Sequence, residues 1–227
     1  MRERRERGER SQETTRSWSV RALTLPPAAL NLDVSMNPIG MPGLRRRAAL
    51  AALFVAAACS DPNTLPDAQL ANVVDTVTIS ALTGTAIRLP SAFSVADRAV
   101  VRTDLSAQFD FAFDILPGSN TPAFLPRSAL GFPLEGSLQP GLQEREESFA
   151  LILEAEPNGY ITRDTIPIAL GERYMARSRV VCTGLGIPRY GKLEVLAIDP
   201  TARTVTFQVL VGQNCGYNSL VPGIPEE

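Results

Sequence analysis

Histidine is absent from the 227 residues, and lysine occurs once, at Lys192. Without an imidazole there is no Ser-His-Asp or Cys-His nucleophile system. The ordinary zinc ligand sets and the commonest general base go with it. A Ser-Lys dyad would have to recruit Lys192, which follows Gly191 at the start of an expected strand, with no serine nearby to mark a nucleophile turn. A solvated strand end is the simpler expectation, because lysine is seldom buried. The one tryptophan, Trp18, sits near the N-terminus. The longest apolar run, 48–58, holds eleven residues, whereas about 20 are needed to cross hydrocarbon. No stretch beyond residue 59 carries a sustained amphipathic helical period, so no helix of convincing length is expected there.

That short apolar run has a telling setting. Arg45, Arg46 and Arg47 lead into it, and Ala56, Ala57 and Ala58 bring it to Cys59. A positive leader, a short apolar segment and small residues before the break are the layout of a secretory signal peptide. Ending in Ala-Ala-Ala-Cys, the stretch resembles a bacterial lipoprotein signal, in which the cysteine is lipidated and becomes the mature N-terminus. The resemblance covers residues 45–61 only. It implies lipidation at Cys59, a membrane anchor and a place in the cell envelope. Ser60, where the family's inner-membrane retention signal would put Asp, implies sorting to the outer membrane. About the activity of the body it implies nothing.

Four segments are expected. Residues 1–40, opening with the charge run MRERRERGER, have too little apolar surface to offset chain entropy and read as a disordered, non-native extension. Met36 or Met41 would serve as a start. Residues 41–58 are the signal peptide, 59–72 a lipidated tether, and 73–227 a single β domain. In the tether Asp61, Asn63 and Asp67 lack the glycine turn and closing Glu of a calcium loop. Ten of the 22 basic residues but only five of the 24 acidic ones precede Cys59, so the remainder is distinctly acidic. Nucleic acid is excluded as a partner on that ground, since its phosphates need a basic footprint.

The body reads as strands. Val77 and Ile79 alternate with threonine, a Thr-Gly-Thr turn leads into 86–89, and Val100-Val101 mark a further strand. In 109–115, Phe109, Phe111, Phe113 and Ile115 alternate with Asp110, Ala112 and Asp114, the period of a strand with one buried face. Residues 121–143 are rich in Pro and Gly and read as one long loop. Phe149, Leu151 and Leu153 suggest another strand, and Pro167 places 161–168 at a sheet edge. The last third is a series of three strands, 174–182, 192–199 and 203–211, with 199–202 as a hairpin loop. The expected fold is all-β, an antiparallel β-sandwich, with a small β-barrel as the alternative.

Three groups of side chains invite a chemical reading. Asp110 and Asp114 would share a face about 13 Å apart, too far for the 5 to 9.5 Å of a glycosidase pair. Glu144, Glu146 or Glu147 could bring a partner from elsewhere, but a solvated strand face is the plainer expectation. Arg173, Arg177 and Arg179 share strand parity opposite Tyr174, Ala176, Val180 and Cys182. They could receive a phosphate or carboxylate bidentately, or be an ordinary solvated stripe. Cys182 and Cys215 remain once Cys59 carries lipid, an even count in an oxidising compartment. Strand direction brings both to one end of the sheet, so a disulfide is expected, closing beyond the end of the strand between them. These features point to a lipid-anchored binding or structural module with no cofactor or metal. Its partners would be the membrane and an envelope protein or anionic ligand. A carboxylate-dependent envelope hydrolase, its site beneath the 121–143 loop, is the alternative.

Overall fold

The computed structural model describes residues 65–226. Cys59, the apolar run, Trp18 and the segment 1–40 lie outside them. Ten strands follow in order: β1 (Val74–Ser80), β2 (Ala92–Ser94), β3 (Ala99–Val101), β4 (Phe111–Ile115), β5 (Pro122–Pro126), β6 (Gly141–Arg145), β7 (Ile166–Pro167), β8 (Arg173–Cys182), β9 (Ile187–Asp199) and β10 (Thr204–Val211). They form two antiparallel five-stranded sheets, β1-β10-β9-β8-β6 and β3-β2-β4-β5-β7. Neither sheet closes on itself, so the fold is a sandwich and not a barrel. No helix among the described residues is long and apolar enough to cross a membrane.

Strict alternation builds the core. Val205, Phe207, Val209 and Val211 of β10 all point inward, with Tyr174 and Leu193 beside them. Facing them are Phe93, Phe111, Phe113 and Phe124 of the second sheet. Phe207 sits among these rings, its centroid 5.6 Å from Phe93, 6.0 Å from Phe111 and 5.9 Å from Phe124, within the range where edge-on aromatic pairs add to plain burial. The β8-β9-β10 meander matches the three strands expected in series. Asp199 Oδ1 accepts from the backbone N–H of Thr201 and Ala202 in the loop between the last two, both at 2.8 Å. Pro167 does lie on the outermost strand of its sheet, where a missing N–H leaves no rung unpaired.

Several expectations are corrected. Residues 86–89 form a turn in which Leu89 N donates to Ala86 O, and Ile87 is exposed. The long loop resolves into β5, a 3-10 turn at Arg127–Leu130, and β6. Pro122 and Pro126 are tolerated because they occupy the two ends of β5. Only the stretch between Leu130 and Gly141 stays irregular, gathered around the Gln139 side chain, which bonds Ser128 Oγ, Leu134 N and Ser137 O. Phe149–Leu151 is a 3-10 turn, with Leu151 and Leu153 exposed and Ile152 between them buried. Phe109 precedes β4 and packs on the other side from Phe111, against Ala92 and Ala112.

Residues 65–72, expected to belong to a tether, are hydrogen-bonded to the domain. From Leu65 the chain lies on the domain: Pro66 O accepts from Tyr217 Oη, Asn214 Oδ1 accepts from Gln69 N and Leu70 N, and Asn72 Nδ2 donates to Ser219 O and Val221 O. Asparagine side chains holding backbone groups carry no hydrophobic period, so this docking leaves no pattern in the sequence.

Candidate functional site

The three arginines of β8 do not meet. Pairing with β9 shifts register between Arg177 and Val180, and a bulge adds a residue, so side chains beyond it change face. Ser178 fills the irregularity, its Oγ accepting from Arg189 N at 2.8 Å. Arg177 stays on the outer face and is buried. Its Nε and Nη2 donate to Gln139 O at 3.2 and 3.0 Å, its Nη1 donates to Pro157 O at 3.1 Å, and its guanidinium lies 4.5 Å over Tyr160. All three nitrogens are committed to two loops, and burial lowers its pKa. Arg173 is partly exposed and reaches only to Glu194, at 4.0 Å.

Arg179, past the bulge, turns to the second sheet. Its Nη2 meets Asp97 Oδ2 at 2.7 Å, and its Nη1 donates to Ser94 Oγ at 3.1 Å and lies 3.6 Å from Asp110 Oδ1. Two further arginines, neither suggested by a stripe, complete a polar centre here. Arg189 Nη1 donates to Ala96 O at 2.8 Å. Arg127, almost wholly buried, donates from Nε to Phe132 O at 2.8 Å and faces the Phe109 and Phe132 rings at 5.6 and 6.0 Å. Burial, and then the charge of Arg179, hold the Arg127 pKa below its ordinary value. Asp97 is held below the usual carboxylate range, chiefly by the Ser94 hydroxyl and with help from Arg179.

Asp110 is the hub. It is 1% exposed; Oδ2 accepts from Ala96 N at 3.0 Å and Oδ1 from Arg179 N at 2.9 Å. Burial raises its pKa, and the backbone donors and Arg179 act against that. Asp114 is buried too. Its Oδ1 accepts from Thr83 N, Thr83 Oγ and Ile115 N at 3.2, 2.9 and 2.8 Å, with Arg203 Nη2 3.5 Å away. The solvated face expected for these two carboxylates is therefore not what the structure holds. Each instead staples a loop to its sheet: Asp110 the 95–97 turn, Asp114 the turn after β1. Glu147 pairs with Arg145 at 2.6 Å and joins neither. Among the described residues no three His, Cys, Asp or Glu side chains are grouped to hold a metal.

No family model, curated protein or solved structure matches the chain. The reading of its function rests on the geometry of its own residues.

Lys192 is likewise not a solvated strand end. It is 1% exposed on the outer face of β9, with Met175 and Leu210 opposite it on the neighbouring strands. Nζ donates to Ile152 O at 2.8 Å and lies 4.6 Å over the Phe149 ring. The 3-10 turn and Leu220 complete this second apolar cluster. Burial lowers the Lys192 pKa, so between the folded value and the unfolded one, about 10.4, the unfolded chain binds more protons. The Lys192 contribution to stability then rises with pH through that window. The Tyr160 and Tyr174 hydroxyls act against it: burial raises their pKa, giving a contribution that falls as pH passes their unfolded value of about 10. Lys192→Met should abolish the rise while changing stability little at pH 7. There the unpaired Ile152 carbonyl, worth about 1 to 3 kcal/mol, offsets relief from a buried ammonium. Urea melts at pH 7 and across the alkaline range check this; an unaltered slope in the variant contradicts it.

At the far end of β8 the expected bridge is present. Cys182 and Cys215 are disulfide-bonded with Cα atoms 5.7 Å apart, joining the β8-β9 turn to the loop after β10. Beside the bridge lie two shallow clefts. One, of about 470 Å³, is lined by Val181, Thr183, Leu185 and Pro66; the other, of about 340 Å³, by Leu70, Gln213, Asn214 and Tyr217.

Proposed function

We propose that the chain is a lipid-anchored envelope protein whose β-sandwich serves as a binding or structural module. One observation carries this reading: Cys182 and Cys215 pair with each other, so of the three cysteines in the sequence the one that remains is Cys59, at the end of the apolar run. Structural disulfides belong to oxidising compartments outside the cytosol, which agrees with an export signal ending at that residue. The signal's resemblance to lipoprotein signals supports the anchor, and Ser60 supports the outer membrane. The module reading is supported by how the ionisable groups are used. Asp110, Asp114, Arg177 and Lys192 each hold a neighbouring loop. An anionic ligand at Arg179 would have to displace Asp97 and Asp110.

Cys59→Ser tests the anchor. Stable membrane attachment takes at least two acyl chains, so the variant should emerge unprocessed or soluble and lose its partitioning into detergent. Unchanged partitioning together with an unchanged mass would overturn the proposal.

A further inference from the structure

The end of the sandwich that carries the disulfide differs in composition from the rest. Three of its segments, 68–74, 180–188 and 212–225, contain no charged residue, although Asp67 lies just before the first of them. In a domain as acidic as this one, such an expanse is conspicuous. The same three segments expose apolar side chains: Leu70 is 53% accessible, Val73 45%, Leu185 50%, Val221 42% and Ile224 59%. Leu185 stands at the tip of the β8-β9 hairpin between Gly184 and Gly186. Hydrogen bonds join the first and third segments, with Leu70 and Asn214 bonded in both directions and Asn72 paired to Gly223, and the disulfide ties the second to the third.

The chain enters the domain at this same end. Leu65 packs on Gly216, where a left-handed φ of 92° and the leucine methyl groups leave no room for a side chain. Cys59 is six residues earlier, and six residues reach at most about 22 Å, or about 14 Å as a flexible coil. The opposite end of the 13-residue strand β9 is about 40 Å further off. That end also exposes Ile87, Leu105 and Leu170, but interspersed with Arg88, Arg102, Asp104 and Glu172.

We infer that the disulfide end is a lipid-docking surface: residues 68–74, 180–188 and 212–225 seat on the bilayer interface, with Leu185 entering it. The inference rests on the anchored reading above. Its physical basis is that seating this end strips water from exposed leucine, valine and isoleucine, against the cost of bringing the exposed carboxylate of Asp67, in the cleft with Leu70 and Tyr217, toward the interface. The acidic remainder of the domain faces away from the anionic headgroups. The bridge ties the Leu185 hairpin to the 212–217 loop, so the two move as one unit.

The test uses the full chain. Trp18→Phe removes the native indole, and Leu185→Trp supplies a single one on an exposed tip where folding is not at stake. Cys59, the sole cysteine outside the bridge, is coupled to a maleimide phospholipid in phosphatidylethanolamine–phosphatidylglycerol vesicles. Brominated acyl chains should quench this indole and place it about 5 to 10 Å into the boundary between headgroups and chains. The matching Leu170→Trp protein, probed at the far end, should stay unquenched. Equal quenching of the two, or none of Leu185→Trp with lipid attached, overturns the docking. Because the lipid is coupled chemically, a Cys59 found without acyl chains in envelope protein would overturn the anchored reading separately.

Discussion

Replacing Cys182 and Cys215 together by serine is expected to lower the unfolding free energy by about 3.7 kcal/mol. The two cysteines are 33 residues apart, and on the chain-entropy account a closed loop of that length restricts the unfolded ensemble by this much. Burial reinforces the argument, because Cys182 is itself 4% exposed and a serine there leaves a hydroxyl in an apolar place. The damage should be local in the folded state. The β9 strand lies between β8 and β10, so the ladder survives, while the turn after Cys182 and the loop around Cys215 lose their mutual hold. Urea denaturation without reductant checks the number, and the m-value should increase as the unfolded chain expands. A midpoint unchanged from the parent protein would show that the bridge contributes nothing to stability.

Asp110→Ala should be comparably severe, about 2 to 6 kcal/mol, since each buried donor left without an acceptor costs about 1 to 3 kcal/mol. Arg179 loses one of its two carboxylate neighbours and keeps Asp97. Two backbone donors, Ala96 N and Arg179 N, lose their acceptor at the same time. Asp110→Asn should cost less, since its one carbonyl oxygen still accepts one of those bonds. The pH dependence separates this residue from its neighbour. The folded pKa of Asp110 is raised by burial, so its titration contributes stability that is complete below the unfolded value of about 3.9 and is lost as pH rises through the folded one. The Asp97 pKa is lowered, so its contribution is present above the unfolded value and disappears as pH falls through the folded one. In Asp110→Asn the first component should vanish and the second persist, provided Arg179 keeps its place. Thermal melts between pH 3 and 7 would show it, and a wild-type acid profile in the variant would contradict the assignment.

Alternation made the strongest strands legible. In 203–211 the β-branched and aromatic residues at every second position match the inward face of β10, and the directions of three successive strands brought the two cysteines to one end. Short strands left no such trace. β2 has three residues, all buried, and β7 has two, too few for a period to show. Proline at both ends of β5 disguised a strand as loop.

The candidate site was harder to read for a related reason. Asp110 and Asp114 on a polar strand face, and Lys192 at the start of a strand, suggested solvent, yet irregular chain covers all three, and their hydrogen bonds go to the covering segments. Arg173, Arg177 and Arg179 form a stripe only if β8 is regular; the bulge near Ser178 divides them. Arg127 and Arg189, which join Arg179 in the folded chain, stand 52 and 10 residues from it and share no pattern with it.

The sequence by itself determined the class of fold, the partners of the cysteines and the chemistry ruled out by the absence of histidine. These depend on residue type and local period, which are complete in one dimension. Tertiary structure alone decided which charges are buried, where the strand parity breaks and which segments gather at the disulfide end. A period of two says to which side of a strand a residue points; whether that side later meets water, a loop or another sheet depends on segments distant along the chain.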